Sequence, residues 1–489
     1  MEASATIEAG GAVDRSRRNQ LWAFLVTGFF LAVSVGAYAV NELYLYLAAY
    51  IWFGFVYGMA LQSGRFCFSS AFRDLFAVGV PRMVVGIMIA TVVFGATAAA
   101  VSAAGMSTFH AAPFGVHSVV AGLIFGVGMV LAGGCASSSF YKAGEGNLTA
   151  AMVVVTMGVT QALFVDAGGF LGRLVPASWR EAALAQGLPA SVMAKPGWFD
   201  QYTVGYLWQR PTARIAEWMH LGSDSFAGAF VANFLVGVLL PALVVLAVVY
   251  AFWARKGFMK KRKREGKPGG AGAELAGFWT MVTSSRGTAI TGVVLGVAAG
   301  LQMFVTKGLR LRFGIENAAG ILAATGHDAG VSLRGTVHDP GHWSVATHSA
   351  QWAAWMFQKL GWDMSHNVYF GWSEGIPNPV FNLAAWMSIA LVGGAAVMAL
   401  LNDEFSWKKP TLELSVFAVV GGALMGVGAR LGLGCNIGAF FARAANGDAS
   451  GWLFAVGMTG GAWIAVKFFN WWTERKMAKE VGLATDLQL

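Results

Sequence analysis

The sequence predicts an all-α integral membrane protein in which about ten transmembrane helices form two inverted repeats, each interrupted where the chain turns back into the bilayer. Three observations predict it. The 489 residues are 56% hydrophobic and only 12% charged, against about 25% charged in an average soluble domain. Apolar runs of about 18 residues or more, enough to cross the hydrocarbon layer, recur along the whole length. An internal duplication also places the same glycine-cysteine break in both halves.

Taken in order, the apolar runs fall near residues 21–40, 46–62, 82–101, 118–133, 148–165, 226–253, 288–306, 380–402, 415–433 and 450–470. Ala37-Tyr38-Ala39 resembles a signal-peptide cleavage site, but the first run is too long for such a peptide and is read as an uncleaved span. Arg15, Arg17 and Arg18 precede it and place the amino end in the cytoplasm. Strict alternation then puts the basic stretch 255–267 inside, with Lys408, Lys409, Arg475 and Lys476, as the positive-inside rule requires.

The resulting organisation has cytoplasmic tails at 1–20 and 471–489 and membrane halves at 21–253 and 288–470. A basic cytoplasmic linker at 254–287 joins them, with EGKPGGAGAE (265–274) as its flexible part. Two long connections, 166–225 and 307–379, form caps outside. All eight histidines (110, 117, 220, 327, 338, 342, 348 and 366) fall in outside connections and read as solvated loop residues. The Trp-rich stretch 343–372 reads as an amphipathic cap at the interface. The formal charge of +9 is topogenic on this reading, with no nucleic-acid surface.

The duplication is visible without gaps when Gly122–Tyr141 is set against Gly422–Phe441. Gly122, Gly126, Val127, Gly128, Leu131, Gly134, Cys135 and Phe140 coincide with Gly422, Gly426, Val427, Gly428, Leu431, Gly434, Cys435 and Phe440. A weaker echo pairs Leu61-Gln62 with Leu301-Gln302, and there the second copy has no cysteine. By the span count, the run before Cys135 enters from outside and the run before Cys435 from inside, so the copies are inverted. Inverted repeats with glycine-broken segments are a plan of secondary transporters, whose sites lie near the midplane.

Three cysteines cannot all pair, and none has Cys-x-x-Cys spacing. Thiolates suit copper(I) or zinc, but no histidine or carboxylate lies beside Cys67, Cys135 or Cys435. A small oxyanion or sulfur-containing anion fits better. Backbone N–H groups at broken-helix ends attract negative charge, Gly134 and Gly434 allow close approach, and Ser137 and Asn436 add donors. A neutral thiol is a weak donor, which suits a path an ion must leave. Arg430 sits five residues before Cys435 and Arg65 two before Cys67, as candidates for drawing in the anion or for orienting the loops. No Walker motif is present, which speaks against ATP-driven transport by this chain alone. The competing chemical reading is a membrane sulfurtransferase that forms a persulfide on one cysteine.

The run Gly-Arg-Phe-Cys-Phe (Gly64–Phe68), followed by Ser-Ala-Phe-Arg-Asp (Ser70–Asp74), together with Gly133-Gly134-Cys135 and Gly434-Cys435-Asn436, resembles the YeeE/YedE sulfur-transport family. The resemblance covers about 46–165, 285–305 and 380–470. It implies an hourglass of paired short re-entrant helices meeting near the midplane, and an inner-membrane importer that hands thiosulfate along Cys67, Cys135 and Cys435. It also implies a small cytosolic sulfur carrier of the TusA type as partner; no cofactor is expected. The extra first span and the two outside connections depart from the family pattern. They leave selenium compounds and other oxyanions as alternative substrates.

Overall fold

The computed structural model describes residues 2–110, 116–166, 178, 181, 226–315, 341–363, 376 and 378–486. Most of the two expected outside caps, with His220, His327, His338 and His366, lies outside the described residues. Among the described residues every regular element is helical, apart from one parallel bridge between Asn147 and Lys408.

The first half contains α1 (Glu2–Val40), α2 (Leu45–Ser63), α3 (Phe68–Val78), α4 (Arg82–Ala103), α5 (Val116–Leu131), α6 (Ala136–Gly144) and α7 (Leu148–Asp166). A long helix α8 (Val231–Arg264) and a short α9 (Ala271–Thr283) lead to the second half. That half contains α10 (Arg286–Phe313), α11 (Thr347–Lys359), α12 (Leu383–Leu401), α13 (Leu412–Leu431), α14 (Asn436–Ala442) and α15 (Ala449–Asp486). The stretch 265–274, expected as a flexible linker, is helical from Ala271, because Ala271, Ala273, Glu274, Leu275 and Ala276 favour a helix enough to carry Gly272 within it.

Side-chain caps fix several starts. Asn382 Oδ1 accepts the Ala384 and Ala385 amides at the head of α12, and Thr411 Oγ1 accepts the Leu414 amide at the head of α13. Among the described residues nine helices are long and apolar enough to cross a membrane, and Leu148–Phe164 adds a shorter apolar segment. Together they match the ten apolar runs one for one.

The packing obeys a two-fold exchange. α2 lies along α12 and α10 along α4, while α5 lies along α15 and α13 along α7. Exchanging α2, α4, α5 and α7 for α10, α12, α13 and α15 returns the same pairs, and α5 against α13 maps onto itself. The crossings close through glycine. A Cβ on Gly126 would stand 2.3 Å from the Met458 carbonyl oxygen, and one on Gly461 would stand 2.0 Å from that of Leu123.

The same exchange identifies an element that the sequence leaves in a cap. α3 packs on α15 and α11 packs on α7, so α11 is the second-half counterpart of α3. Residues 341–359 therefore do not float at the interface. Trp343 is 1% exposed and stacks on Tyr57 at 4.2 Å, and Val345 and Ala346 are buried. The small residues Ala350 and Ala354 give α11 a face that lies close to α7, where Gly158 admits the Ser349 carbonyl. The histidines there are corrected in the same way: His117 and His348 are buried, and His348 Nε2 bonds the Ser388 hydroxyl on α12.

Candidate functional site

Three helices end in one backbone motif, and each end delivers a cysteine. At the end of α2, Gly64 N–H bonds Ala60 O, Phe66 N–H bonds Leu61 O, and Arg65 takes φ 50°. At the end of α5, Ala132 N–H bonds Gly128 O, Gly134 N–H bonds Met129 O, and Gly133 takes φ 66°. At the end of α13, Gly432 N–H bonds Gly428 O, Gly434 N–H bonds Ala429 O, and Leu433 takes φ 54°. These are Schellman-type stops with a left-handed residue after the last helical turn. A left-handed conformation costs a residue with a Cβ about 1–2 kcal/mol, a cost carried by Arg65 and Leu433 and avoided by Gly133.

Two residues after each left-handed turn stands a cysteine in extended conformation that caps a new short helix. Cys67 heads α3, Cys135 heads α6 and Cys435 heads α14. Their carbonyls accept the fourth amide onward, from Ala71, Ser139 and Ala439 respectively. The chain thus turns within a few residues, and each new helix packs on other elements than the one it has just left: α3 on α4, α5 and α15, α6 on α2, α7 and α12, and α14 on α15 and α6. Two cations hold these reversals closed: Lys142 Nζ donates to Gly133 O at 2.9 Å, and Arg443 Nη2 donates to Leu433 O at 3.1 Å.

All three thiols are buried, at 1%, 0% and 2% exposure for Cys67, Cys135 and Cys435. The Cys67 and Cys135 thiols interact with each other, and Cys67 Sγ also accepts the Ser70 amide at 3.5 Å. Cys135 Sγ lies 3.4 Å from Ser137 Oγ. Ser138 and Ser139 donate back to the Cys135 carbonyl, and the Ser138 hydroxyl also lies by both thiols. Asn436 Nδ2 donates to Ser137 Oγ at 3.5 Å and so ties the residue after Cys435 to the partner of Cys135. Backbone amides of Ile437, Gly438 and Val345 face the Cys435 thiol. Aromatic rings join the two halves around these groups: Phe68 meets Phe440 edge-on at 5.9 Å, and Trp343, stacked on Tyr57, meets Phe441 of its own half at 5.9 Å.

Of the residues the sequence singles out, the structure gathers Cys67, Cys135, Cys435, Ser137 and Asn436. Gly134 and Gly434 sit inside the turns, where a Cβ would stand 2.8 Å from Ser138 Oγ and from Ala439 N respectively. The two arginines face different partners. Arg430 is buried and reaches Thr347 Oγ1, the first residue of α11, at 3.5 Å. Arg65 is half exposed and pairs with Glu404 at 2.8 Å and with Glu145 at 3.5 Å. Gln62 completes that cluster by donating to Glu404 at 2.6 Å, and its repeat counterpart Gln302 accepts the Tyr57 hydroxyl at 2.7 Å.

The sequence reading missed Lys142, Arg443 and the fourth loop. Ala346 caps α11 where Cys67 caps α3. The trace left in the sequence is Ser349-Ala350, which stands at the same offset as Ser70-Ala71. Among the described residues no three His, Cys, Asp or Glu side chains are grouped as a metal ion would need.

Comparison with known proteins bears on this arrangement. The family described as Sulphur transport matches residues 63–464, a stretch that contains all three cysteine breaks. The chain is 26% identical over 427 residues to Thiosulfate transporter TsuA of Spirochaeta thermophila, across 84% of this chain and 95% of that protein. It is 39% identical over 111 residues to Thiosulfate transporter TsuA of Escherichia coli, across 22% of this chain and 32% of that protein. It is 27% identical over 127 residues to Probable transporter YedE of Escherichia coli, across 26% of this chain and 32% of that protein.

Proposed function

The chain belongs to the sulphur transport family, and from that premise we propose that it imports thiosulfate, or a closely related small sulfur-containing anion, along a path lined by Cys435, Cys135 and Cys67. The observation that carries this reading is the placement of three buried thiols at the heads of three short helices. Two of the thiols are neighbours that interact, and the third is linked to them through Asn436 and Ser137. Helix starts present unpaired N–H groups to an anion, and each thiol adds a weak donor that releases as readily as it binds.

Cys435 meets the ion first, from outside, and Cys135 and Cys67 pass it inward. Gly134 and Gly434 keep the turns narrow enough for close approach. Arg430 borders the outer end of the path, and Arg65 borders the inner end, where Glu404 and Glu145 hold it. The protein sits in the inner membrane with both termini in the cytoplasm. That orientation is supported by the contacts that bring basic segments to one face: Lys408 beside Asn147, and Lys476 bonded to Glu413 at 2.7 Å. A TusA-like carrier takes the sulfur species up at that face.

The test is uptake of thiosulfate labelled at its outer sulfur into proteoliposomes by the unmutated chain, Cys135→Ala and Cys435→Ala, each checked for monodisperse elution. Saturable uptake that disappears in both variants is the expected result. Full uptake in both variants defeats the thiol path.

A further inference from the structure

Helix α8 spans 34 residues, about 51 Å at 1.5 Å per residue, while the hydrocarbon layer takes only about 30 Å. The surplus is its basic end. Residues 255–267 hold eight basic side chains against the single acid Glu265. Arg255 is spoken for by Glu274 at 2.7 Å, Lys267 by Glu265 at 2.8 Å, and Arg262 bonds the Pro268 carbonyl. Lys256, Lys260, Lys261, Lys263 and Arg264 are exposed and have no ion pair among the described residues.

Beside them lies α9, which touches α8 where Glu274, Gly277 and Phe278 meet Tyr250, Arg255 and Phe258. Gly277 makes that contact close, since a Cβ there would stand 2.3 Å from the Tyr250 hydroxyl. Ala273, Gly277 and Met281 form the buried side of α9. Its other side presents Leu275 and Trp279, one helical turn apart and 71% and 65% exposed. An apolar pair of this kind is costly in water and favoured at the boundary between acyl chains and head groups, above all for tryptophan.

We propose that the α8–α9 junction is a binding surface for anionic phospholipid. Leu275 and Trp279 seat in the acyl boundary, and Lys256, Lys260, Lys261, Lys263 and Arg264 bind the phosphate head groups. A lipid occupant is favoured over an acidic soluble protein because the cations continue directly from a membrane span and the neighbouring apolar pair faces the same boundary. Juxtamembrane basic clusters are drawn to an anionic surface, each cation adding to the attraction within a Debye length.

The test is hydrogen exchange on the full chain in nanodiscs of phosphatidylcholine alone or with added phosphatidylglycerol. Peptides covering 255–283 are expected to exchange roughly tenfold more slowly with the anionic lipid, while those covering 402–411 stay unchanged. Replacing the five unpaired cations by glutamine should abolish the difference, and Trp279→Ser with Leu275→Ser should weaken protection in both lipids. Equal exchange of the unmutated chain in the two lipids overturns the proposal, as does lipid-dependent protection that survives in the glutamine variant. Protection that arises only when an acidic soluble protein is added to neutral discs assigns the surface to a protein and overturns it too.

Discussion

The two pairs of loops differ in backbone and in what they carry: three of the four heads follow a left-handed residue by two positions and are extended, whereas Ala346, the fourth, is helical and follows left-handed Gly341 by five. The pair built from the ends of α2 and α5 is headed by Cys67 and Cys135, whose thiols interact. The pair built from the approach to α11 and the end of α13 is headed by Ala346 and Cys435. The first pair has a left-handed arginine and a left-handed glycine, and its Lys142 clamp is half buried; the second has a left-handed leucine and a buried Arg443 clamp. The duplication thus retains the hydrogen-bonding frame of the turn at Cys135 and Cys435 but not at Cys67 and Ala346, and thiol number, charge and strain have diverged.

The halves also differ in closeness, and the largest expected effect tests that. A Cβ on Gly126 would stand 2.3 Å from the Met458 carbonyl oxygen, while one on its counterpart Gly426 would stand 2.9 Å from that of Met157. Gly126→Ala is expected to destabilise by about 3 kcal/mol and Gly426→Ala by about 1 kcal/mol, within the range for overpacking a tight contact. Thermal unfolding in detergent measures both, and equal losses would mean that the two crossings relax alike.

Thiol number comes next. Cys435→Ala should lower uptake by more than about tenfold, a barrier change of about 1.4 kcal/mol. Adding Ala346→Cys to that variant places a thiol at the other outer helix head, beside the Val345 amide that faces position 435. Partial recovery of uptake would show that the outer pair needs a thiol at either head. An intact but inactive double variant would tie the function to position 435 itself.

Strain gives a smaller effect. No atom lies within 4 Å of a Cβ built on Gly133, so Gly133→Ala tests the left-handed backbone alone and should cost about 1 kcal/mol. A larger loss would mean that the loop shifts and takes Cys135 with it, which uptake would register.

Much of this was legible in the sequence, and for physical reasons. Ten apolar runs announce themselves by length, and a rare cysteine repeated in one glycine frame marks the breaks at Cys135 and Cys435. The α11 loop was hidden because its counterpart of Cys67 is Ala346 and its left-handed glycine, Gly341, stands five residues earlier, inside a stretch rich in tryptophan and histidine. The Lys142 and Arg443 clamps were hidden for another reason. Each joins a side chain to a carbonyl nine or ten residues away, and the two differ in residue type and are offset by one position between the copies. Arg65 looked as suited to the ion as to the loop, because its partner Glu404 lies in the other half.

The smallest expected effect concerns that last pair, and its sign can be worked out. The Gln62 amide and then Arg65 hold the Glu404 carboxyl below the usual carboxylate range, while burial pushes the neighbouring Glu145 carboxyl up despite Arg65. Glu404 therefore contributes stability that is present above the ordinary carboxylate pKa, about 4.3, and is lost as pH falls through its lower folded value. Glu145 acts in the opposite sense: its folded form binds a proton more readily, so its contribution weakens as pH rises through the raised value. Arg65 and Glu404 side chains are 54% and 40% exposed, which keeps the pair below about 1 kcal/mol. Glu404→Gln should accordingly lower the melting temperature slightly at neutral pH and lose less than the unmutated chain on acidification. Glu145→Gln should leave the Glu404 limb intact and remove the opposing one. Parallel melting curves from neutral to acid pH for all three chains would show that the inner cluster is held by hydrogen bonds alone, with no contribution from its charges.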